Sequence, residues 1–212
     1  MNINFVLIAE GASDYALVTH LEALCSYCGA TEVTGVALEF ERLPASVGRS
    51  VLDKLTAAQK AEPGANLFFV HRDADGRDSS SRHQEIRAAV ETCQLVVDWV
   101  AVVPVQETEA WLLLDETEIR RVARKPRGSV RLELPSPQQV ENVANPKERL
   151  KVALTEASEA SGRRLDRIRR DFSNQRELLA RRLSVEGPLS SVPSWVRMRD
   201  DLQRIIKERE SE

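Results

Sequence analysis

Four short, almost uninterrupted apolar runs mark the first half of the chain, and each stops abruptly. Asn4–Ala9 ends at Glu10-Gly11, Val33–Phe40 ends in charged sequence, Asn66–His71 ends at Arg72-Asp73-Ala74-Asp75-Gly76, and Leu95–Val103 ends at Pro104. Continuous apolar runs of this length predict strands buried on both faces of a parallel sheet. Between them, apolar residues recur at helical spacing. Ala16, Leu17, Leu21, Leu24 and Cys25 form one set, with Ser13 as the expected N-cap and Gly29 as the stop; Val51, Leu52 and Leu55 form a second, and a third helix is expected around Arg82–Thr92. Strand and helix alternate four times with short connections, which predicts a doubly wound α/β fold: four mainly parallel strands with helices on both faces.

Beyond Glu107 the pattern changes. Ala110–Leu114 and Glu116–Ala123 read as helices, and residues 124–146 carry Pro126, Gly128, Pro135, Pro137 and Pro146, a connector with one short strand expected at Val130–Leu134. Residues 147–160, 164–182 and 193–209 read as helices, the last starting at Pro193 or Ser194. The expected division is an α/β core over 1–123, a proline-rich connector over 124–146, and a helical portion over 147–212 that packs on the core. No repeat or low-complexity tract interrupts this.

Composition sharpens the picture in two ways. With 212 residues and 42% hydrophobic content the chain can bury a core. No apolar run approaches a bilayer span, Met1–Asn4 lacks a basic start, and Asp14 cuts short the apolar stretch that follows, so neither a signal peptide nor a membrane partner is expected. Three cysteines give no disulfide framework, and the expected location is the cytoplasm. The net charge of −3 hides a division: residues 1–119 hold 8 Lys+Arg against 19 Asp+Glu, whereas residues 120–182 hold 17 against 8. An acidic first half followed by a basic segment suits a metal site beside a polyanion-binding surface. The plain alternative is that the arginine-rich helices carry solvated faces.

Ligands of open parallel sheets bind beyond the carboxyl ends of the strands, and three of the four predicted strands end there in acid: Glu10 and Asp14, Asp73 and Asp75, and Glu107 and Glu109. Glu10 and Asp14 are expected one helical turn apart, facing one point; Asp73 and Asp75, two apart in extended backbone, are expected on one side. Six carboxylates on one edge would repel one another and raise their own pKa values. A divalent cation with oxygen ligands, Mg²⁺ or Mn²⁺, would remove that penalty. Singly, Glu-Gly and Asp-x-Asp-Gly are ordinary turn chemistry; their succession on strand ends carries the argument. There is no P-loop, the kinase-like His71-Arg72-Asp73 lacks its glycine loop, and an EF-hand fails at Asp78 and Gln84.

Glu10-Gly11-x-Ser13-Asp14, followed by an apolar strand into Asp73-x-Asp75-Gly76, resembles the Toprim domain of topoisomerases, bacterial primases and the OLD (overcoming lysogenization defect) nucleases. The match extends to a standalone Toprim-like bacterial family through Pro104–Trp111, Asn145-Pro146-Lys147 and Pro193-Ser194-Trp195. The resemblance implies a Toprim-like (Rossmann-like) fold and a Mg²⁺- or Mn²⁺-dependent nuclease, or a related phosphodiester-cleaving enzyme, acting on DNA or RNA. It also implies a setting in phage defence or mobile-element biology, and it leaves room for a separately encoded ATPase partner. Residue by residue, Glu10 matches the glutamate taken as metal ligand or general acid/base, Asp73 and Asp75 the metal-holding pair, and Asp14 the second acidic position. Glu107 or Glu109 matches a further acidic ligand, so one or two ions are implied, and Lys147 is a candidate transition-state cation. The chain carries no ATPase or DNA-breakage domain, which sets aside DNA relaxation and priming.

Arg163, Arg164, Arg167 and Arg170 are the expected nucleic-acid contacts, since arginine forks suit phosphate; neighbouring Arg169, Arg181 and Arg182 share their ambiguity with a solvated face. A non-catalytic nucleic-acid or partner-binding module is the competing reading. A phosphatase using Asp73 as nucleophile ranks last, because the motif follows the third strand and Arg77 stands where Thr or Val is wanted. Cys25-Ser26-Tyr27-Cys28 closes a helix instead of opening one, so it is not read as redox or zinc chemistry. Trp111 and Trp195 are expected as core anchors.

Overall fold

The computed structural model describes residues 1–76 and 78–211; Arg77 and Glu212 lie outside them. The first half is an alternation of β1 (Asn2–Ile8), α1 (Leu17–Tyr27), β2 (Glu32–Ala37), α2 (Val51–Ala61), β3 (Leu67–His71), α3 (Ser79–Cys93) and β4 (Asp98–Val102). The four strands are all parallel, in the order β2-β1-β3-β4. Successive residues of β1 face opposite ways, as strand geometry requires: Val6 and Ile8 pack with Leu55 of α2 and Ile86 of α3, while Phe5 and Leu7 pack on the other side with Leu21 and Leu24 of α1. Helices therefore cover both faces.

The remaining helices are α4 (Glu109–Leu112), α5 (Glu116–Val122), α6 (Pro146–Ala157), α7 (Gly162–Arg170), α8 (Phe172–Ala180) and α9 (Pro193–Glu210). All of these except α7 join the α1 face of the sheet in one continuous core that includes Leu150, Leu179, Trp195, Leu202 and Ile206. Pro193, at the first position of α9, costs no helical hydrogen bond there. Trp195 meets Trp111 edge to face at 5.3 Å, and the Trp111 indole N–H donates to Ser194 Oγ at 3.2 Å. Each fully buried large apolar side chain of this kind stabilises by roughly 1.5–3 kcal/mol. No helix among the described residues is long and apolar enough to cross a membrane.

Three local expectations are corrected. Val130–Leu134 forms no strand: side chains satisfy its backbone, with Arg120 donating to Val130 O, Arg149 to Glu133 O, and the Glu159 carboxylate accepting from the Ser129 and Val130 amides. The helix expected over 164–182 is two, broken at Asp171, because α7 stays at the surface with no buried residue while α8 turns inward to bury Arg176 and Leu179. Ser13 does not cap α1. It lies in a 3₁₀ turn, Ala12–Asp14, that precedes the helix, and its hydroxyl donates to Asp14 at 3.3 Å.

The β1–β2 pairing contains one close approach. Gly35 sits opposite Phe5, and a Cβ built there would lie 2.1 Å from the Phe5 ring. Gly35→Ala should displace that ring and cost about 1–3 kcal/mol, read as a lowered urea midpoint with unchanged m-value. An unchanged midpoint would mean that the ring moves aside freely.

Candidate functional site

The chain leaves β1 toward β2 on one side and returns to β3 on the other, so the strand order reverses between β1 and β3. Such a reversal opens a crevice beyond the strand ends, where ligands of open α/β sheets bind. Glu10 follows β1 and Asp73 follows β3 at this point. The Asp73 amide donates to Glu10 Oε2 at 3.0 Å, and both side chains reach solvent, 35% and 20% exposed. Asp73 is fixed by two further groups, the Thr108 amide at 3.2 Å from Oδ1 and His71 Nε2 at 3.4 Å.

His71, the last residue of β3, lies fully buried beneath this pair. Its Nε2 is 3.1 Å from Thr108 Oγ1, the Glu10 amide donates to Nδ1 at 3.4 Å, and Asp14 Oδ2 lies 3.9 Å from Nδ1. The neutral ring accepts the Glu10 amide, whereas the imidazolium offers Nδ1–H to Asp14. Burial works against the charged ring, yet the Asp73 and Asp14 carboxylates outweigh it and raise the His71 pKa.

The six acidic residues do not crowd one edge; they fall into three groups. Glu10 and Asp73 form the first. Asp14 and Glu109 form the second, and both turn inward onto Arg176 of α8. Its Nη2 donates to Asp14 at 2.8 Å and its Nε to Glu109 at 2.7 Å, while Nη1 donates to Ser13 O. All three side chains are at most 8% exposed. Burial alone would raise the Asp14 pKa, but His71 and Arg176 overcome it and hold the carboxyl below its ordinary value. The expectation that Glu10 and Asp14 face one point is thus corrected: the 3₁₀ turn sends Asp14 inward, and a bound arginine supplies the positive charge foreseen for a metal.

Asp75 and Glu107 form the third group. Asp75 has φ of 53°, a left-handed conformation that separates it from Asp73, and its amide donates to Gln106 O. Two residues apart therefore does not mean one side here. Asp75 pairs with Arg82 at 3.2 Å and, with Glu107 and Lys147, lines a groove of about 340 Å³. Burial and the neighbouring Glu109 charge raise the Glu107 pKa. Lys147, at the start of α6, lines the same groove, with its amide beside the Glu107 carboxylate.

Positive charge also reaches the first group: Arg72 Nη1 lies 3.3 Å from Glu10 and Nη2 lies 3.5 Å from Glu85. Among the described residues, no three histidine, cysteine or carboxylate side chains are arranged to hold a metal. No family model, curated protein or solved structure matches this chain.

Arg163, Arg164, Arg167 and Arg170 are exposed on α7 and make no ion pair with the described residues; the only side-chain bond among them runs from Arg170 Nε to Asp166 O at 3.3 Å. The cysteine pair lies at the end of α1, where burial pushes Cys25 up to about 12 and Cys28 up to about 11, far from a reactive thiolate. Two residues of this candidate site escape the sequence. His71 reads as one more residue of an apolar strand, and its only signal is a polar residue at the buried end of that strand. Arg176 is one of many arginines, distinguished only by falling between Phe172 and Leu179 on the inward side of its helix.

Proposed function

We propose that this chain is a Toprim-like phosphodiester-cleaving enzyme that uses Mg²⁺ or Mn²⁺ on nucleic acid. The observation that carries the reading is the direct coupling of Glu10 and Asp73 across the reversal of strand order. Two carboxylates, the Glu10 one accepting from the Asp73 amide and both open to solvent, stand where sheets of this topology bind ligands. Mg²⁺ is held by one or two carboxylates with the substrate's own phosphate oxygens completing its shell, so a two-carboxylate pair fits its habit better than a closed protein cage. Glu10 and Asp73 would hold the ion, and Asp75, paired with Arg82 in the adjoining groove, would stand apart from it. When bound, it supplies Lewis-acid polarisation of the phosphate and a more acidic attacking water.

The chain's own residues do the rest. His71 and the Thr108 amide fix Asp73, and Arg72 fixes Glu10, so neither carboxylate must be ordered when substrate arrives. Lys147 stands ready to neutralise phosphate charge at the mouth of the adjoining groove. Glu107, its pKa raised, is the side chain there best suited to hold a proton for a leaving oxygen. Exposed arginines on α7 add non-specific attraction for the backbone.

The test is incubation of plasmid, single-stranded DNA and RNA with Mn²⁺. Wild type should cleave, and Glu10→Ala and Asp73→Ala should lose at least a hundredfold, about 2.7 kcal/mol of transition-state stabilisation. Cleavage by both variants at the wild-type rate would remove the reading. The pairing of Glu10 with Arg72 and of Asp75 with Arg82 favours a second reading, a binding module whose acidic end is already neutralised. It predicts nucleic-acid binding in EDTA that falls steeply with salt, with no cleavage under any metal.

A further inference from the structure

A cleft of about 680 Å³ opens beside Glu10, between the end of β1, the loop over residues 39–50 and the first turns of α2. Its wall carries three cations, Arg49, Lys54 and Arg72, and two aromatic rings, Tyr15 and Phe40. Lys54 is held rigidly: its ammonium donates to Ala9 O at 2.8 Å and Glu10 O at 3.0 Å, and it stands 5.3 Å from the centre of the Phe40 ring. Two of its three N–H groups are spent on the main chain, and the third is available to a ligand. The lining sets these three cations against two carboxylates, Glu10 and Glu41. Arg72 Nε is buried without a hydrogen-bond partner, and Arg49 makes no ion pair with the described residues. An anion placed here would meet the remaining Lys54 N–H and the Arg49 guanidinium.

The rings narrow the anion's class. Tyr15 and Phe40 are half-buried and line the cleft. Burial and the Glu41 carboxylate, to which its hydroxyl donates at 3.3 Å, push Tyr15 up to about 12 and keep the phenol neutral. Cations beside aromatic faces form the platform that binds unpaired nucleotides, where each base–ring stack is worth about 1–3 kcal/mol. The volume lies in the range of small-molecule sites. A base inside a duplex is stacked and paired and offers no face to such rings.

We propose that this cleft binds one unpaired nucleotide of the substrate strand, its base against Phe40 or Tyr15 and its phosphate between Arg49 and Lys54. The enzyme would thereby select single strands or frayed ends and deliver the adjoining phosphodiester to Glu10 and Asp73. The inference rests on the proposed role of Glu10 but is tested separately from it.

The experiment is fluorescence anisotropy in EDTA with labelled dT12, rU12 and a hairpin duplex, using the full chain, Phe40→Ala and Arg49→Gln. Wild type should bind one of the single strands at least tenfold more tightly than the hairpin. Phe40→Ala should weaken that binding about five- to hundredfold and leave the hairpin unchanged. Arg49→Gln, at an exposed position that leaves folding intact, should weaken it and reduce the slope against log salt by about one. Equal affinity for hairpin and both single strands, or wild-type binding by Arg49→Gln, overturns the assignment. So does displacement by dTMP or UMP as tight as the oligonucleotide itself, which would make the ligand a free nucleotide. Mn²⁺-dependent cleavage unaffected by either variant would refute the cleft and spare the cleavage centre. Selective, Phe40-dependent binding with no cleavage would do the reverse.

Discussion

Arg176→Ala should be the most destabilising single substitution at the acidic end of the sheet. Truncation leaves the Asp14 and Glu109 carboxylates buried without their shared cation, and breaking a buried ion pair from one side costs about 3–5 kcal/mol. For a domain of this size each kcal/mol lowers the melting temperature by roughly 2–4 °C, so a drop on the order of 10 °C is expected. Arg176→Lys should recover little of it. A single ammonium cannot reach Asp14, Glu109 and the Ser13 carbonyl together as the guanidinium fork does. The acid limb of stability provides a second readout. The folded Asp14 pKa lies below its ordinary 3.8, so its contribution is complete above that value and is lost as pH falls toward the folded pKa. In Arg176→Ala that loss should shift to higher pH. A variant that melts within 1 kcal/mol of wild type at neutral pH would show that the two carboxylates find other partners.

This clamp explains how much of the site was legible in the sequence. Short apolar runs bounded by turn residues, such as Phe68–Val70, read as strands of a covered parallel sheet, and the acidic residues that end them then lie at one edge. Legibility ended at the direction of each side chain. Glu10 and Asp14 are separated by a 3₁₀ turn, not a helical one, and Asp73 and Asp75 by a left-handed residue. Both features arise from contacts with distant segments. Arg176, which draws Asp14 inward, is more than 160 residues away in sequence, and the loop over 104–106 that accepts the Ala74, Asp75 and Gly76 amides comes from beyond β4. Charge counts missed the same point. Repulsion among six carboxylates looks unrelieved in the sequence because a charge count places no charge in space, whereas in the fold Arg72, Arg82 and Arg176 pair with Glu10, Asp75 and Asp14. Only when the helices fold back does one of them become an interior counter-ion.

The division of the carboxylates into separate groups changes what a metal titration should reveal. If Glu10 and Asp73 hold the ion, binding to the native state alone adds RT ln(1 + [L]/Kd), about 2.7 kcal/mol at a hundredfold excess over Kd. Saturating Mn²⁺ should therefore raise the wild-type melting temperature by about 5–10 °C. Asp73→Asn keeps an oxygen for the Thr108 amide and should preserve the metal-free fold while losing most of that rise. Glu109→Gln should behave in the opposite way. It removes one partner of Arg176 and costs about 1–3 kcal/mol, yet it leaves the Mn²⁺ shift intact because its carboxylate is committed to the interior. Six converging ligands would instead make the two variants alike. A Mn²⁺ shift abolished by Glu109→Gln, or retained in full by Asp73→Asn, would move the ion away from the Glu10–Asp73 pair.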